Sequence, residues 1–397
     1  MKITKIEVLQ VKTAGPNWRP VFCRIHTDTG LYGDGEVGLT HGKGALAGFG
    51  MLQDLAAMLI GMDPLNIEAV WEKLYKDTFW GQNGGAVIFS AISGIDMALW
   101  DLKGKALGVP VYQLLGGKFR SKIRCYASQL QNGWFPEDYK NLQTRNCYNI
   151  DDYRRAAEFA MEEGYDAVKL DLLAWAPEGG RYSRDERERF LSPKLLRDVE
   201  ERMAVTREVV GDDVEIIIEN HARIDSPGAV QVANVIEKYN IMYFEEPATT
   251  APHILRELKH KIHIPIASGE RIYTRWQYIP YFQDASLAVI QPDMGNCGGF
   301  TETKKVCDMA HAYDVGVQLH ICCSPLSTTA ALHMEAAIPN FVIHEHHTFN
   351  RCLASEGLAL INPQPVNGYL EVPEAPGLGN EISPKAFENA FAYCVVE

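Results

Sequence analysis

The 397-residue sequence has no uninterrupted apolar run near the roughly 20 residues that a membrane-spanning helix requires. Its amino terminus, MKITKIEVLQ, is too short and too interrupted by charge to be a secretory signal peptide. It also lacks a basic run, and its formal net charge of −13 argues against a nucleic-acid or anionic-membrane partner. We therefore expect a cytoplasmic protein with neither nucleic-acid nor membrane partners.

Cysteine pairs with metal-binding spacing are also missing. The nine cysteines are scattered, only Cys322 and Cys323 are adjacent, and no C-x-x-C pair occurs. Such a set is typical of reduced thiols in a cytoplasmic protein. What the sequence does have is apolar content, with 46% hydrophobic and 22% charged residues. That content and the chain length allow one large core plus an accessory domain.

Two regions with different patterns follow one another. The amino-terminal region alternates as strands do, with a hairpin turn predicted at residues 27–30, and then shows helical spacing from about residue 45 to 110. Beyond Ile123, eight short apolar runs alternate with helix-like stretches: IRCYASQ, DAVKLDL, VEIIIEN, IMYFEE, IPIASGE, LAVIQPD, VGVQLH and FVIHEH. Strands that alternate with helices pair in parallel, and eight units predict a closed (β/α)₈ barrel. The expected fold class is thus α/β, a TIM-type barrel preceded by an α+β segment.

Polar side chains follow most of the predicted strands at nearly constant spacing. They are separated by 23 to 27 residues and comprise Glu219, Glu245, Glu270, Asp293, His320 and Glu345. In a (β/α)₈ barrel, the carboxyl ends of all strands open onto one face, where active sites lie. The sequence therefore predicts that these six side chains converge in one pocket.

Three of these residues, Glu219, Glu245 and Glu270, end consecutive strands. Crowded carboxylates repel each other unless a cation neutralises them, and oxygen ligands favour a hard divalent ion. We expect Mg²⁺ rather than Mn²⁺ or Ca²⁺. The alternative is that each carboxylate forms a salt bridge with a lysine or arginine of the rim loops.

Several motifs together resemble the enolase superfamily, in the branch of mandelate racemase and the sugar-acid dehydratases. They are Glu245-Glu246-Pro247, Gly269-Glu270-Arg271, and Gln291-Pro292-Asp293 followed by Gly298-Gly299. Residues 91–117 resemble the helix and linker of the family's amino-terminal capping domain, and residues 376–382 resemble the return of the chain to it. The resemblance implies a capping domain at 1–122, completed by 372–397, and a barrel at 123–371. It also implies that Glu219, Glu245 and Glu270 hold Mg²⁺, with a substrate carboxylate bound to the ion.

The predicted base is His320. His320 and Asp293 end adjacent strands, which puts them within hydrogen-bond reach, so that Asp293 orients the imidazole and raises its basicity. The His–Asp dyad of the resembled family falls on these two positions. The alternative is a structural histidine at a strand end.

The second strand candidate departs from the racemase pattern. Racemases of this branch carry K-x-K, whereas this sequence has Lys169-Leu170-Asp171. Without a second lysine, racemisation is less favoured; Asp171 is then a weak substitute base or a ligand of a substrate hydroxyl. Lys169 is expected to neutralise the metal-bound carboxylate.

His221 favours dehydration instead. It lies two residues after Glu219, so the period of a strand directs it into the same pocket. This pattern resembles galactonate- and mannonate-type dehydratases, in which the histidine protonates a departing hydroxyl. Glu345 matches the family's carboxylate near the metal-bound substrate oxygen.

The remaining predicted substrate-binding residues belong to strand ends and loops. Gln129 ends the first strand candidate, and His41 lies in the 38–44 loop expected to close over the barrel. Trp18 follows residues 14–17 in a second such loop, with a packing role as its alternative. The charged loop 174–190 is expected to form part of the lid.

The sequence thus predicts a Mg²⁺-dependent aldonate dehydratase, a hydro-lyase that forms a 2-keto-3-deoxy acid from a galactonate- or mannonate-like substrate. The alternatives are a racemase or epimerase of a 2-hydroxy acid, and a weakly active ligand-binding paralogue. Two departures keep the paralogue alternative open: Glu219, where these dehydratases usually have Asp, and Asp171 in place of the second lysine. The resemblance also implies a homo-oligomer, either a dimer or an octamer.

Overall fold

The computed structural model describes residues 1–13, 18–135, 145–351 and 355–397. The amino-terminal elements are β1 (Ile3–Val11), β2 (Val21–Thr27), β3 (Tyr32–Val37), α1 (Ala45–Ala57), α2 (Ile67–Lys76), α3 (Ala86–Leu107) and α4 (Val111–Leu114). Within the described part of the chain, no helix combines the length and hydropathy needed to cross a bilayer.

Eight strands with intervening helices follow. The strands are β4 (Lys122–Ala127), β5 (Ala167–Leu170), β6 (Glu215–Glu219), β7 (Ile241–Glu245), β8 (Ile266–Ser268), β9 (Val289–Ile290), β10 (Gly316–Val317) and β11 (His344–His346). The helices are α5 (Ile150–Glu162), α6 (Arg184–Arg187), α7 (Pro193–Val210), α8 (Ser226–Ile236), α9 (Pro252–Lys259), α10 (Thr274–Gln283), α11 (Gly299–Ala312), α12 (Pro325–Ala337) and α13 (Thr348–Arg351). The chain ends with β12 (Tyr369–Glu371), α14 (Pro384–Glu388) and β13 (Ala390–Val396).

The amino-terminal strands form an antiparallel sheet in the order β13-β1-β2-β3. The predicted hairpin is confirmed: Gly30 N donates to Thr27 O at 3.2 Å, and Gly30 has the positive φ of 83° that such a turn requires. Helix α3 packs closely on β3. A Cβ on Gly35 would lie 1.9 Å from Gly94 O, so this approach requires glycine. The apolar face of α3 is buried at Ile88, Ile92, Ile95, Ala98 and Leu99, in agreement with the helical spacing of this region.

The eight later strands form a ring of parallel pairs. Their order follows the chain from β4 to β10, and β11 pairs with β4 at His344 and Cys125. Val342 N donates to Val317 O at 2.8 Å, which brings the chain before β11 against β10 and closes the ring. The predicted barrel is confirmed. The assigned strands are shorter than the apolar runs, although Gln318 N still donates to Ile290 O at 3.0 Å beyond them.

The three consecutive isoleucines of β6 pack on two sides. Ile217 belongs to a buried cluster with Tyr126, Tyr243 and Ala267, which come from other strands of the ring. Such a layer fills the interior of a barrel. Ile216 and Ile218 pack in the larger cluster that includes the surrounding helices. An apolar run without alternation therefore indicates a strand buried on both faces.

Glu36, near the end of β3, joins the capping domain to the barrel. Its carboxylate accepts hydrogen bonds from the backbone N–H and the hydroxyl of both Ser324 and Ser327, at 2.6 to 3.3 Å. Both serines lie at the beginning of α12, where backbone N–H groups point at an anion. Gly38 N also donates to Gly295 O at 2.9 Å, so the 38–44 loop begins at the rim of the barrel.

Candidate active site

A cavity of about 620 Å³ lies at the carboxyl ends of the barrel strands. It brings together residues from many separate segments of the chain. Those predicted from the sequence are His41, Gln129, Lys169, Glu219, His221, Glu270, Asp293, His320 and Glu345. The remaining predicted site residues, Trp18, Asp171 and Glu245, are buried behind this lining.

The end of β6 sets the position of two of these side chains. Glu219 is the last residue of the strand, and its Oε1 accepts a hydrogen bond from the backbone N–H of His221 at 3.0 Å. His221 has a φ of 50°, a left-handed conformation that is uncommon for a residue with a side chain. The neighbouring Ala222 N donates to Glu246 O at 2.9 Å, which holds this turn against the next strand end.

Lys169 is the cation at the base of the cavity, and its side chain is only 1% exposed. Its Nζ lies 3.1 Å from Glu219 Oε2 and 2.9 Å from Glu245 Oε1. The same atom lies 2.9 Å from Glu345 Oε1. Burial alone would lower the pKa of Lys169, but the three carboxylates raise it well above its usual range. Lys169 is therefore a fixed ammonium group rather than a base.

Glu270 lies between two basic side chains. Arg271 Nη2 lies 2.7 Å from Glu270 Oε1, and His320 Nε2 lies 2.9 Å from Glu270 Oε2. Arg271 also donates from Nη1 to Glu246 Oε2 at 2.6 Å. Although burial opposes it, the charges of His320 and Arg271 keep the pKa of Glu270 well below its usual range.

The carboxylates fit a hard divalent cation chemically. Glu245 Oε2 is buried without a hydrogen-bond partner, and burial together with the charge of Glu219 raises the pKa of Glu245 well above its usual range. A cation placed among these oxygens would provide a partner for the unpaired Glu245 oxygen and would stabilise the ionised form of the carboxyl group. Among the described residues, no three His, Cys, Asp or Glu side chains are already grouped as a metal site. Lys169 and Arg271 hold the carboxylates in the present arrangement.

His320 and Asp293 form the hydrogen bond that the sequence predicts. His320 Nδ1 lies 2.7 Å from Asp293 Oδ2, and the opposite ring nitrogen faces Glu270. Burial would lower the pKa of His320, but Glu270 and Asp293 raise it well above its usual range. The aspartate thus fixes the ring orientation and leaves Nε2 directed at Glu270.

A second histidine–aspartate pair was not predicted. His221 Nδ1 lies 3.1 Å from Asp171 Oδ2, which also accepts a hydrogen bond from Arg223 Nη1 at 3.1 Å. Asp171 Oδ1 accepts from Leu173 N at 2.9 Å. The Asp171 carboxylate is 1% exposed and lies against His221, so this geometry favours a supporting role, while its predicted role as a substrate ligand or substitute base stays a prediction.

The two pairs lie on opposite sides of the ring. Asp171 and His221 follow the second and third barrel strands, β5 and β6, whereas Asp293 and His320 follow the sixth and seventh, β9 and β10. Strands four positions apart in an eight-stranded ring are diametrically opposed. A ligand in the cavity is thus flanked by one imidazole on each side.

Glu345 is deeply buried and accepts hydrogen bonds from Ser128 Oγ at 2.6 Å and Ile321 N at 3.0 Å. Burial notwithstanding, Lys169 and His320 keep its pKa well below the usual range, so it is a carboxylate. Gln129 Nε2 lies 3.4 Å from His221 Nε2. Gln129 therefore lies beside the second histidine.

His41 and Trp18 form part of one aromatic group. The His41 ring centroid lies 5.9 Å from that of Phe349, and burial with the nearby His221 lowers the pKa of His41. Trp18 is 1% exposed and stacks on Phe349 at 5.3 Å. Phe349 lines the cavity and Trp18 packs behind it, which favours the packing role over the predicted substrate contact. The accompanying residues 14–17 lie outside the described residues.

Several lining residues were missed by the sequence analysis. They include Gln131, Asn132, Asn146, Trp175, Arg181, Arg223, Arg271 and Phe349. Arg271 lies within the Gly269-Glu270-Arg271 motif, so its position next to Glu270 could have indicated that it lines the site. Trp175 and Arg181 belong to the 174–190 loop, which was predicted only as part of a lid. Phe349 lies in the short helix α13, and the others are in loops without periodicity, where no pattern indicates the direction of a side chain.

Comparisons with known proteins agree with this geometry. Residues 8–116 match the family described as mandelate racemase / muconate lactonizing enzyme, N-terminal domain. Residues 152–386 match the family described as enolase C-terminal domain-like. The chain belongs to the mandelate racemase/muconate lactonizing enzyme family of the enolase superfamily. The resemblance stated from the motifs is confirmed.

Relatives within this family are similar along nearly the whole chain. A D-galactonate dehydratase of Pectobacterium atrosepticum is 34% identical, with 96% of this chain and 92% of the relative covered. A D-xylonate dehydratase of Haloferax volcanii is 32% identical, with 97% and 88% covered. The crystal structure of an enolase-superfamily member from Salmonella Typhimurium superposes with a TM-score of 0.95 at 48% identity, covering 100% of both chains.

Proposed function

We propose that this enolase-superfamily protein is a Mg²⁺-dependent dehydratase of sugar acids, which converts a galactonate- or mannonate-like aldonate to a 2-keto-3-deoxy acid. The observation that carries the proposal is the pair of opposed histidines, each oriented by its own aspartate. β-Elimination of water needs one group that removes a proton and one that delivers a proton. The names of the dehydratase relatives support the same reaction class.

The three carboxylates Glu219, Glu245 and Glu270 would hold the ion. When bound, Mg²⁺ would supply positive charge to the substrate carboxylate and so make the neighbouring C–H bond more acidic. Lys169 and Glu345 complete this end of the cavity. Because Lys169 is held between carboxylates, it adds positive charge next to the predicted ion without taking part in proton transfer.

In the proposed reaction, His320 removes the proton from C2 through Nε2. The electron pair of that C–H bond forms the C2–C3 double bond while the C3–O bond breaks. His221 delivers a proton to the departing hydroxyl, which leaves as water, and the enol then becomes the 2-keto-3-deoxy acid. Asp293 and Asp171 hold the two rings in place throughout.

The test is a panel of aldonates incubated with the protein and Mg²⁺, with 2-keto-3-deoxy acids detected by semicarbazide. We expect turnover of at least one galactonate- or mannonate-like acid, and loss of turnover in His320→Asn. Absence of turnover across a stereochemically complete panel would contradict the proposal. Tight binding without turnover would instead favour a ligand-binding paralogue.

The opposed imidazoles also favour one second candidate, epimerisation at C2. A ring on each side of the substrate can remove a proton from one face and return one to the other. Incorporation of solvent deuterium at C2 with inversion and without loss of water would support this candidate. The homo-oligomer implied by the resemblance stays a prediction, and sedimentation equilibrium would test it.

A further inference from the structure

A second group of polar residues also lines the cavity. Asn132 and Asn146 come from the segment after β4, Trp175 and Arg181 from the segment after β5, and Arg223 from the segment after β6. None of these residues contributes to the predicted metal site or to the two proton-transferring rings. They form the arginine end of the cavity.

Arg181 is held on a fixed aromatic platform at this end. Its guanidinium carbon lies 4.5 Å from the ring centroid of Trp175. Trp175 is itself positioned by a hydrogen bond from its Nε1 to Asn132 Oδ1 at 2.8 Å, and by an edge contact with Tyr148. Stacking occupies the flat face of a guanidinium and leaves the N–H groups at its edge available.

No carboxylate pairs with Arg181 within the described ranges of the chain, in contrast to Arg184 and Arg223. Arg184, three residues later, forms an ion pair with Glu188, and Arg223 shares Asp171 with His221. Arg181 is still exposed to solvent, and partial burial together with repulsion by Arg223 lowers its pKa. Arg223 adds a second positive charge to the lining of the same cavity. An arginine fork in such surroundings matches the oxygen atoms of a carboxylate or a phosphate.

We propose that the arginine end binds a second anionic group, so that the preferred substrate is a sugar acid with negative charge at both ends. One end is the carboxylate next to the reacting carbon, and the other is a terminal carboxylate or a phosphate ester. This inference rests on the proposed dehydratase function. It adds Arg181 as a residue that determines specificity, with Arg223 as the second positive charge nearby.

A neutral terminal hydroxyl is a poorer match to this end. A hydroxyl accepts one or two hydrogen bonds and leaves the guanidinium charge uncompensated once the substrate excludes water. A terminal anion compensates the charge and accepts from two N–H groups of one guanidinium.

The experiment compares sugar acids of matched stereochemistry in the Mg²⁺-loaded enzyme: an aldonate, the corresponding aldarate, and the aldonate with a terminal phosphate. We expect a dianionic acid to have a kcat/KM at least about 10-fold above that of the aldonate, since hydrogen bonds to charged groups contribute about that factor or more. Whichever dianion has the higher kcat/KM, the aldarate or the phosphorylated aldonate, shows whether the arginine end prefers a carboxylate or a phosphate.

Arg181→Gln should lower the ratio of dianion to aldonate kcat/KM by about 10- to 100-fold, and Arg181→Lys should restore part of it. Arg184→Gln, in the same loop, is the matched control and should leave the ratio unchanged. An aldonate preferred in the wild type, or an equal loss for all acids in Arg181→Gln, would overturn the inference.

Calorimetry separates failure of this inference from failure of the proposed function. The acids are titrated into His320→Asn with Mg²⁺, with and without Arg181→Gln. Dianion binding that weakens about 10-fold or more with Arg181→Gln supports the arginine end even if no acid is turned over. Equal binding of aldonate and dianion in both variants rejects the arginine end even if aldonates are dehydrated.

Discussion

The buried carboxylate of Asp171 lies 3.1 Å from His221 Nδ1 and 3.1 Å from Arg223 Nη1. One oxygen therefore contacts both a histidine and an arginine that line the cavity. Racemases of this family branch are expected to have a lysine at this position. In this chain the residue at that position, Asp171, contacts His221. His221 therefore has an aspartate partner, as His320 has in Asp293.

Asp171→Asn should lower kcat for dehydration by about 100-fold, because correct general acid–base catalysis contributes on that order or more. The amide keeps the size of the side chain but cannot stabilise a protonated His221. Steady-state kinetics with the best acid measure the loss. Exchange of the C2 proton, followed by NMR in D₂O, is the control and should persist, since His320 is untouched. Equal loss of exchange and dehydration would show that Asp171 acts on the whole site.

His221→Asn and His320→Asn should separate the two proton transfers. His320→Asn should abolish both C2 exchange and dehydration, because the base is gone. His221→Asn should abolish dehydration while C2 exchange continues. NMR detection of deuterium at C2 and of the keto acid in one sample measures both reactions. The reverse pattern would exchange the roles of the two histidines.

Lys169→Met should destabilise the metal-free protein by about 3–5 kcal/mol, because it leaves three buried carboxylates without their shared cation. Mg²⁺ should then restore more stability to the variant than it adds to the wild type. Urea unfolding in EDTA and in Mg²⁺ gives both free energies. Lys105→Met is the control: Lys105 also pairs with carboxylates, but in the capping domain. The loss of stability in Lys105→Met should be the same with and without Mg²⁺.

His333 should make stability fall in acid. Burial lowers its pKa to about 4, so the folded protein keeps it neutral while the unfolded chain protonates it near pH 6.5. Stability is therefore full above pH 6.5 and is lost as the pH falls to 4, by on the order of 3 kcal/mol from this group. His333→Gln retains a donor for Leu378 O, which His333 Nε2 meets at 3.0 Å, and does not titrate. Urea unfolding between pH 7 and 4 should show a correspondingly shallower decline, and an unchanged decline would contradict the assignment.

Trp18→Phe tests whether Trp18 packs or binds. The loss of ring volume behind Phe349 should lower the free energy of unfolding by about 1–2 kcal/mol. KM should stay within about twofold, because Trp18 does not line the cavity. Urea unfolding and steady-state kinetics measure the two quantities. A large rise in KM without loss of stability would favour the substrate-contact interpretation.

Much of the site follows from one rule of the fold. Once eight strands alternate with helices, their carboxyl ends share one face, and Glu219, Glu270 and His320 fall on it without further information. The same rule places Asp293 beside His320, since adjacent strands end side by side. These residues line the cavity as the sequence predicts.

The departures arise where the backbone leaves the strand. The left-handed turn at His221 is not set by strand periodicity, and it brings the ring back to Asp171. The orientation of Trp18 depends on Phe349, which is distant in the sequence. Arg181 depends on the Trp175 platform, within a loop that has no repeating pattern. Side-chain contacts between loops, rather than the fold, decide these positions.

The four hydrogen bonds that Glu36 accepts from Ser324 and Ser327 restrict how the cavity can open. A hinge between capping domain and barrel would have to break all four together and leave a buried carboxylate unsatisfied. We therefore expect the two domains to move as one rigid unit during turnover. Substrate entry and product release would then depend on short-range motion of the 38–44 and 174–190 loops. The release rate should accordingly respond to loop substitutions and solvent viscosity rather than to changes at the domain junction.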